Sequence, residues 1–221
     1  MNYPRVVPAA VDAVMIEFAD EISLPVHEQV MRCLAWLEQT KDTALLEWVA
    51  SYRTVMVYFD LRRTDAQQVI RTIEAAQFGQ QQSLKQTKSP QLHQIEVCYH
   101  PSLGLDLVEL SATAGLSVEQ FAQRHSEVGY RVYALGFAPG FAYLGDVPEQ
   151  LRFPRLATPR KKVPAGSVAI ANQQTAIYPK TSPGGWNIIG RAVRWPEFEL
   201  GDRIQFKPIS LAQFERMDAS R

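Results

Sequence analysis

In this 221-residue chain the side chains whose type and setting best suit moving protons or holding anions are His125 and a basic cluster of the second half. His125 qualifies because an imidazole titrates near neutrality and can act as general acid or base. Its place near a helix end equally suits a cation favoured by the helix C-terminus, and periodicity does not choose between the two. Arg160, Lys161 and Lys162 form a basic triplet, with Lys180 in a later tract. Arg160 can hold a carboxylate or phosphate through two parallel N–H bonds. Lys161 and Lys162 read as a solvated edge.

These cations belong to a group of three Gly/Pro-rich tracts: GFAPGFAYLG (136–145), PRKKVPAGS (159–167) and YPKTSPGGW (178–186). Glycine lets backbone approach a ligand or take positive φ, and proline fixes φ and removes a donor. Each tract alone reads as a barrel corner or bulge. Three together, two of them cationic, shift the reading toward rigid loops around a small-molecule site. In that company Phe141 and Tyr143 become candidates for a pocket wall or partner interface. None of the tracts matches GxxxxGK[ST] or GxGxxG, and Ser167 and Ser182 lack the GxSxG context of a hydrolase nucleophile. The four histidines form no HxH or HExxH pair, and Cys33 and Cys98 lack CxxC spacing. No metal site is expected, and the cysteines read as buried thiols of a reducing compartment.

Lysine plus arginine equals aspartate plus glutamate, 23 each, so no global field draws the chain to nucleic acid or an anionic membrane. No apolar run is long enough for a membrane span, and the N-terminus lacks the basic region of a signal peptide. The expectation is a soluble, cytoplasmic protein.

The elements that must position the tracts fall in two parts. Residues 13–18 read as a strand, and Val26, Val30, Cys33, Leu34 and Leu37 fall at helical spacing after Ser23. Strand-like runs at 44–50 and 54–60 flank a turn at 51–53. Thr64 to Gln67 has capping-box spacing before a second helix carrying Val69, Ile70 and Ile73. Residues 94–99 form a further strand, giving the βαββαβ order of a ferredoxin-like unit. That last strand could belong to either side of the polar, aperiodic stretch 79–91, which reads as a linker.

A helix over 106–114 ends at Gly115, and Ser117 to Gln120 offers a second capping box for a helix reaching about His125. Beyond Gly129 the texture changes: residues 136–190 hold seven of the fourteen prolines and seven of the twelve glycines. Short apolar runs at 167–171, 175–178, 186–189 and 203–206 punctuate them, which favours an all-β barrel. The fold class is therefore α+β, with domains at 1–92 and 93–221.

Taken together, the tracts resemble the signature of the family of 5-oxoprolinase B subunits, also called the KipI or allophanate hydrolase subunit 1 family. The matching residues are His125-Ser126 with Tyr130, Gly136 to Gly145, Pro154-Arg155, Pro159-Arg160 and Val163 to Val168. They continue through Gln174-Thr175, Tyr178-Pro179, Pro183 to Trp186 and Ile189-Gly190. Departures include Tyr99 to Leu107, which lacks the usual double glycine, and Ala192 in place of a threonine. The resemblance implies a ferredoxin-like N-terminal domain followed by a cyclophilin-like β-barrel.

It also implies partnership with two further proteins, a KipA-like C subunit and an A subunit, in an ATP-dependent enzyme that opens 5-oxoproline to glutamate. A lactam is an unactivated amide, and phosphorylating its oxygen would make it open to water. ATP is then used by the complex rather than bound by this chain alone. The implied site has His125 and Arg160 as catalytic residues, with Phe141, Tyr143, Gln174, Tyr178, Gly184, Gly185 and Trp186 binding substrate. The amides of Gly184 and Gly185 would stabilise an oxyanion. Relatives that restrain a sensor histidine kinase, or handle substrate in urea carboxylase, share the same motifs and stand as alternative functions.

Overall fold

Val55, Val57 and Phe59 are buried while Thr54, Met56 and Tyr58 between them are half-exposed, the period of a strand with one covered face. This strand, β4 (Thr54–Phe59), lies in a computed structural model that describes residues 3–76 and 90–220. The chain divides into two compact units, 1–89 and 90–221. In the first, β1 (Arg5–Ala10) and β2 (Ala13–Glu17) form a hairpin, and helix α1 (Leu24–Gln39) follows. Next come β3 (Leu45–Ala50), β4 and helix α2 (Ala66–Ala75).

The sheet order is β1-β2-β4-β3, antiparallel throughout. Helix α1 begins where the Ser23 hydroxyl accepts the Val26 amide, and it buries Val30, Cys33, Leu34 and Leu37. Desolvation there pushes the Cys33 thiol up to about 12, which makes it an inert core group. The cap of α2 is Asp65, accepting from the Gln68 amide. The expected Thr64 capping box does not form: the helix starts one residue later, on the Asp65 carboxylate.

The strand read at 94–99, which could have belonged to either side of the linker, falls in the second unit. It is β5 (Leu92–Cys98), and it runs parallel to β13 (Arg203–Ile209) in the second unit. The fourth place in the first sheet is taken by β1, preceded by Pro4 and containing Pro8, a segment not assigned from its pattern. Pro8 is tolerated there because β1 is an edge strand. Of the expected linker 79–91, residues 79–89 lie outside the described residues. Pro90 and Gln91 belong to the second unit, where the Gln91 amide bonds Asp202.

In the second unit, helices α3 (Leu107–Thr113) and α4 (Val118–Ser126) lead into β6 (Gly129–Leu135) and β7 (Ala142–Gly145). The Ser117–Gln120 capping box opens α4, and Gly115 takes φ 67 between the helices. A 3-10 turn at Glu149–Leu151 precedes β8 (Arg160–Val163), β9 (Ser167–Ala171) and β10 (Gln174–Ile177). After them come β11 (Ser182–Gly184), β12 (Asn187–Ala192), β13 and helix α5 (Leu211–Asp218). Seven strands close a barrel in the order β10-β7-β6-β13-β5-β12-β9, and β8 and β11 pair apart from it as a two-stranded ribbon.

Alternation along the barrel strands separates two apolar clusters. Val168, Ile170, Ile177, Leu144 and Ile189 face the cluster that fills the barrel and receives α3 and α4. Their neighbours Ala169, Ala171, Ala176 and Ile188 point the other way, into a second cluster with Phe141, Tyr178 and Trp186. Every residue of β9 is buried as a result. Among the described residues no helix is long and apolar enough to cross a membrane.

Candidate functional site

The second cluster lies against the outer face of the barrel wall, where the three Gly/Pro tracts converge. In the first tract, Gly136 (φ 136), Phe137 (φ 66) and Gly140 (φ 79) turn the chain, closed by Gly136 N–H to Phe141 O at 3.1 Å. A phenylalanine in the left-handed region is strained, and strain of this kind collects at binding sites. The turn delivers Phe141 into an aromatic nest. Its ring centroid is 4.8 Å from Tyr143, 5.6 Å from Tyr178 and 5.9 Å from Trp186, all in edge-on packing.

The third tract folds back as β11 onto β8, pairing Gly184 with Arg160. A Cβ on Gly184 would overlap the Tyr178 hydroxyl, so glycine is required by close approach. Gly185 is held from the second tract's side, its carbonyl accepting the Leu156 amide at 2.8 Å.

Between these groups lies a cavity of about 300 Å³. Phe141, Tyr143, Tyr178, Gly184, Gly185 and Trp186, six of the nine expected site residues, line it together. Burial raises the Tyr178 phenol, opposed by a hydrogen bond from the Trp186 backbone and by Arg155, so the hydroxyl stays protonated and can donate. Arg155 also lines the cavity, with Cζ 5.8 Å from the Trp186 ring centroid.

The other three expected residues stand elsewhere. His125 has no exposed surface and sits in the barrel cluster, stacked on Phe206 at 5.0 Å. Its Nδ1 meets the Tyr99 hydroxyl at 2.8 Å and its Nε2 meets Thr175 Oγ1 at 3.0 Å. Because Thr175 donates to the Ala169 carbonyl, its oxygen accepts from Nε2–H, and Nδ1 accepts from Tyr99. Burial lowers the imidazole pKa to about 3, so the ring is neutral and both nitrogens are occupied. The geometry gives it a packing role rather than the proton transfer expected of it.

Arg160 does not line the cavity either. Its Nη2 bonds Asp106 Oδ1 at 2.6 Å, while Asp106 Oδ2 accepts the Ile188 amide at 2.6 Å. The guanidinium expected to hold a ligand is thus neutralised by a buried carboxylate. Together the two side chains tie the start of α3 to β12 and to the ribbon. Nη1 of Arg160 is buried with no hydrogen bond among the described residues. Gln174 pairs with Gly145 and Ala171 at the start of β10 and is not among the cavity residues.

Two residues escaped the sequence reading. Asp106 appeared only as a helix start, and its partners lie 54 and 82 positions away. Arg155 stood in the Pro154-Arg155 pair of the family match, with no role attached to it. Among the described residues no group of three or more His, Cys, Asp or Glu could hold a metal ion.

The family model for the carboxyltransferase domain, subdomain C and D, matches residues 4–201, and the chain belongs to that family. It is 33% identical over 215 residues to the B subunit of 5-oxoprolinase from Bacillus subtilis (strain 168), with 90% of each chain covered. A crystal structure of the protein TTHA0988 superposes with a TM-score of 0.76 at 33% identity, over 91% of this chain and 40% of that one. This chain therefore spans about two fifths of that protein. The urea amidolyase of K. lactis shares the fold at 15% identity, with a TM-score of 0.74 over 96% of this chain and 15% of that one.

Proposed function

We propose that this chain is the B subunit of an ATP-dependent 5-oxoprolinase, which hydrolyses 5-oxo-L-proline to L-glutamate together with an A subunit and a KipA-like C subunit. The observation that carries the reading is the identity to a protein of that name along nine tenths of both chains. A cytoplasmic setting goes with it. So does a ferredoxin-like description of the first unit, in which β1 holds the edge place of a strand following α2, and a cyclophilin-like description of the barrel.

The cavity suits the part this chain would play. Phe141, Tyr143 and Trp186 offer flat apolar walls to a five-membered lactam and keep bulk water off its carbonyl carbon. Tyr178 can donate a hydrogen bond to a carbonyl oxygen, and the Gly184 and Gly185 amides stand at the same rim. ATP does not fit this cavity: its residues include a single cation, Arg155, too little to meet a triphosphate. No step at the nucleotide is assigned to this chain, which on this reading binds and orients the lactam.

Co-expression with candidate A and C subunits tests the proposal. Glutamate release from 5-oxoproline should require all three chains and ATP. Release without this chain, or co-purification with a sensor kinase domain in place of the C subunit, overturns it.

A further inference from the structure

Two cavities flank the Gly-Phe loop, and their charges differ in sign. The larger, about 580 Å³, lies between residues 135–141 and the pair Glu197-Phe198, and Glu197 is its one charged residue. The smaller, of about 300 Å³, has Arg155 as its one charged residue. An anion is therefore turned away from the first and drawn to the second.

Arg160 of the second tract and Arg155 just before that tract differ in the same decisive way. Arg160 is engaged by Asp106, whereas Arg155 makes no ion pair among the described residues. Its guanidinium is exposed but not adrift, because the Trp186 ring lies within cation–π distance behind it. Such a backing restricts the guanidinium while leaving its N–H edge open to a planar anion.

We propose that Arg155, steadied by Trp186, binds the carboxylate of the ligand in this cavity, and that the site selects small cyclic amides carrying one carboxylate. This rests on the reading of the cavity as the lactam site. The size fits: about 300 Å³ is at the lower end of small-molecule pockets. With the carboxylate at Arg155, the ring lies among Phe141, Tyr143 and Trp186. Its amide oxygen then reaches toward Tyr178 and the Gly184-Gly185 backbone. Because Arg155 is exposed, its attraction for the anion weakens as salt rises.

The test compares 5-oxo-L-proline with 2-pyrrolidinone, the same ring without a carboxylate, titrated against the full chain by calorimetry. Wild type should favour 5-oxo-L-proline by roughly tenfold or more, the scale of one charge-assisted hydrogen bond. Arg155→Ala should abolish that preference at unchanged thermal stability, and Arg155→Lys should restore part of it. No preference in wild type, or a preference that survives Arg155→Ala, overturns the assignment. Turnover by the three-chain complex separates this outcome from the function. If the complex releases glutamate and Arg155→Ala leaves its KM for 5-oxoproline unchanged, the function stands and the Arg155 assignment falls. If the carboxylate preference depends on Arg155 but no complex releases glutamate, the reverse holds.

Discussion

The barrel interior around His125 and the outer cavity around Phe141 are built from similar residues: tyrosines, phenylalanines and one nitrogen-rich side chain. They differ in how their polar groups are satisfied. Inside, the chain Tyr99–His125–Thr175–Ala169 closes every proton onto an acceptor. Outside, Arg155 has no carboxylate among the described residues, and Phe137 stands 65% exposed in a left-handed conformation. A satisfied network holds a fold together, and unspent donors and strained backbone mark where a ligand can act. The neutral histidine and the unpaired arginine are therefore opposite uses of a polar side chain.

The largest way to break this contrast is at His125. Replacing it with alanine removes a buried ring stacked on Phe206 and should cost about 4 kcal/mol, as for large-to-small core changes; chemical denaturation measures it. The pH dependence follows from its depressed pKa. Below about pH 6.5 the unfolded chain takes up a proton that the folded imidazole refuses until about pH 3. The stabilisation is complete above 6.5 and falls through that window by about 1.4 kcal/mol per unit. His125→Ala should show a shallower acid-side decline, and a slope identical to wild type would show that His125 is not buried neutral.

Asp106 lies between the two regions, and its loss should be the next largest effect. Asp106→Ala leaves the Ile188 amide and the Arg160 guanidinium without their acceptor, at a cost of about 3 kcal/mol in thermal or urea unfolding. Asp106→Asn, which keeps an acceptor for one of them, should lose less. Gly184→Ala is the smallest of the three, about 2 kcal/mol for the forced shift of Tyr178. Its effect should be sharper on ligand affinity than on stability, since the displaced ring and the ribbon both border the cavity.

Local chemistry made much of the barrel legible in advance. The run 167–171 coincides with β9, and the Ser117–Gln120 box opens α4. Composition also brought out the three tracts that meet at the cavity, the first and third supplying its aromatic residues. What escaped were features set by distant pairing. The strand at 94–99 has the same pattern in either unit, and only its parallel partner β13 decides its place. The ribbon strands β8 and β11 are three or four residues long and carry no alternation worth reading. Burial of His125 and neutralisation of Arg160 depend on residues 50 and 54 positions away, so type and spacing left His125 open and the family resemblance implied both as catalysts.

The parallel pairing of β5 with β13 bears on how the barrel comes into being. β13 seats between β5 and β6, so the last strand of the barrel is its keystone, inserted between two strands made far earlier in the chain. Until it emerges from the ribosome, β5 and β6 have open edges and Asp202 cannot anchor Gln91. Such long-range closure is slow. During synthesis the aromatic wall of the cavity would rest on an unclosed sheet, and the site would take its shape only once β13 is in place.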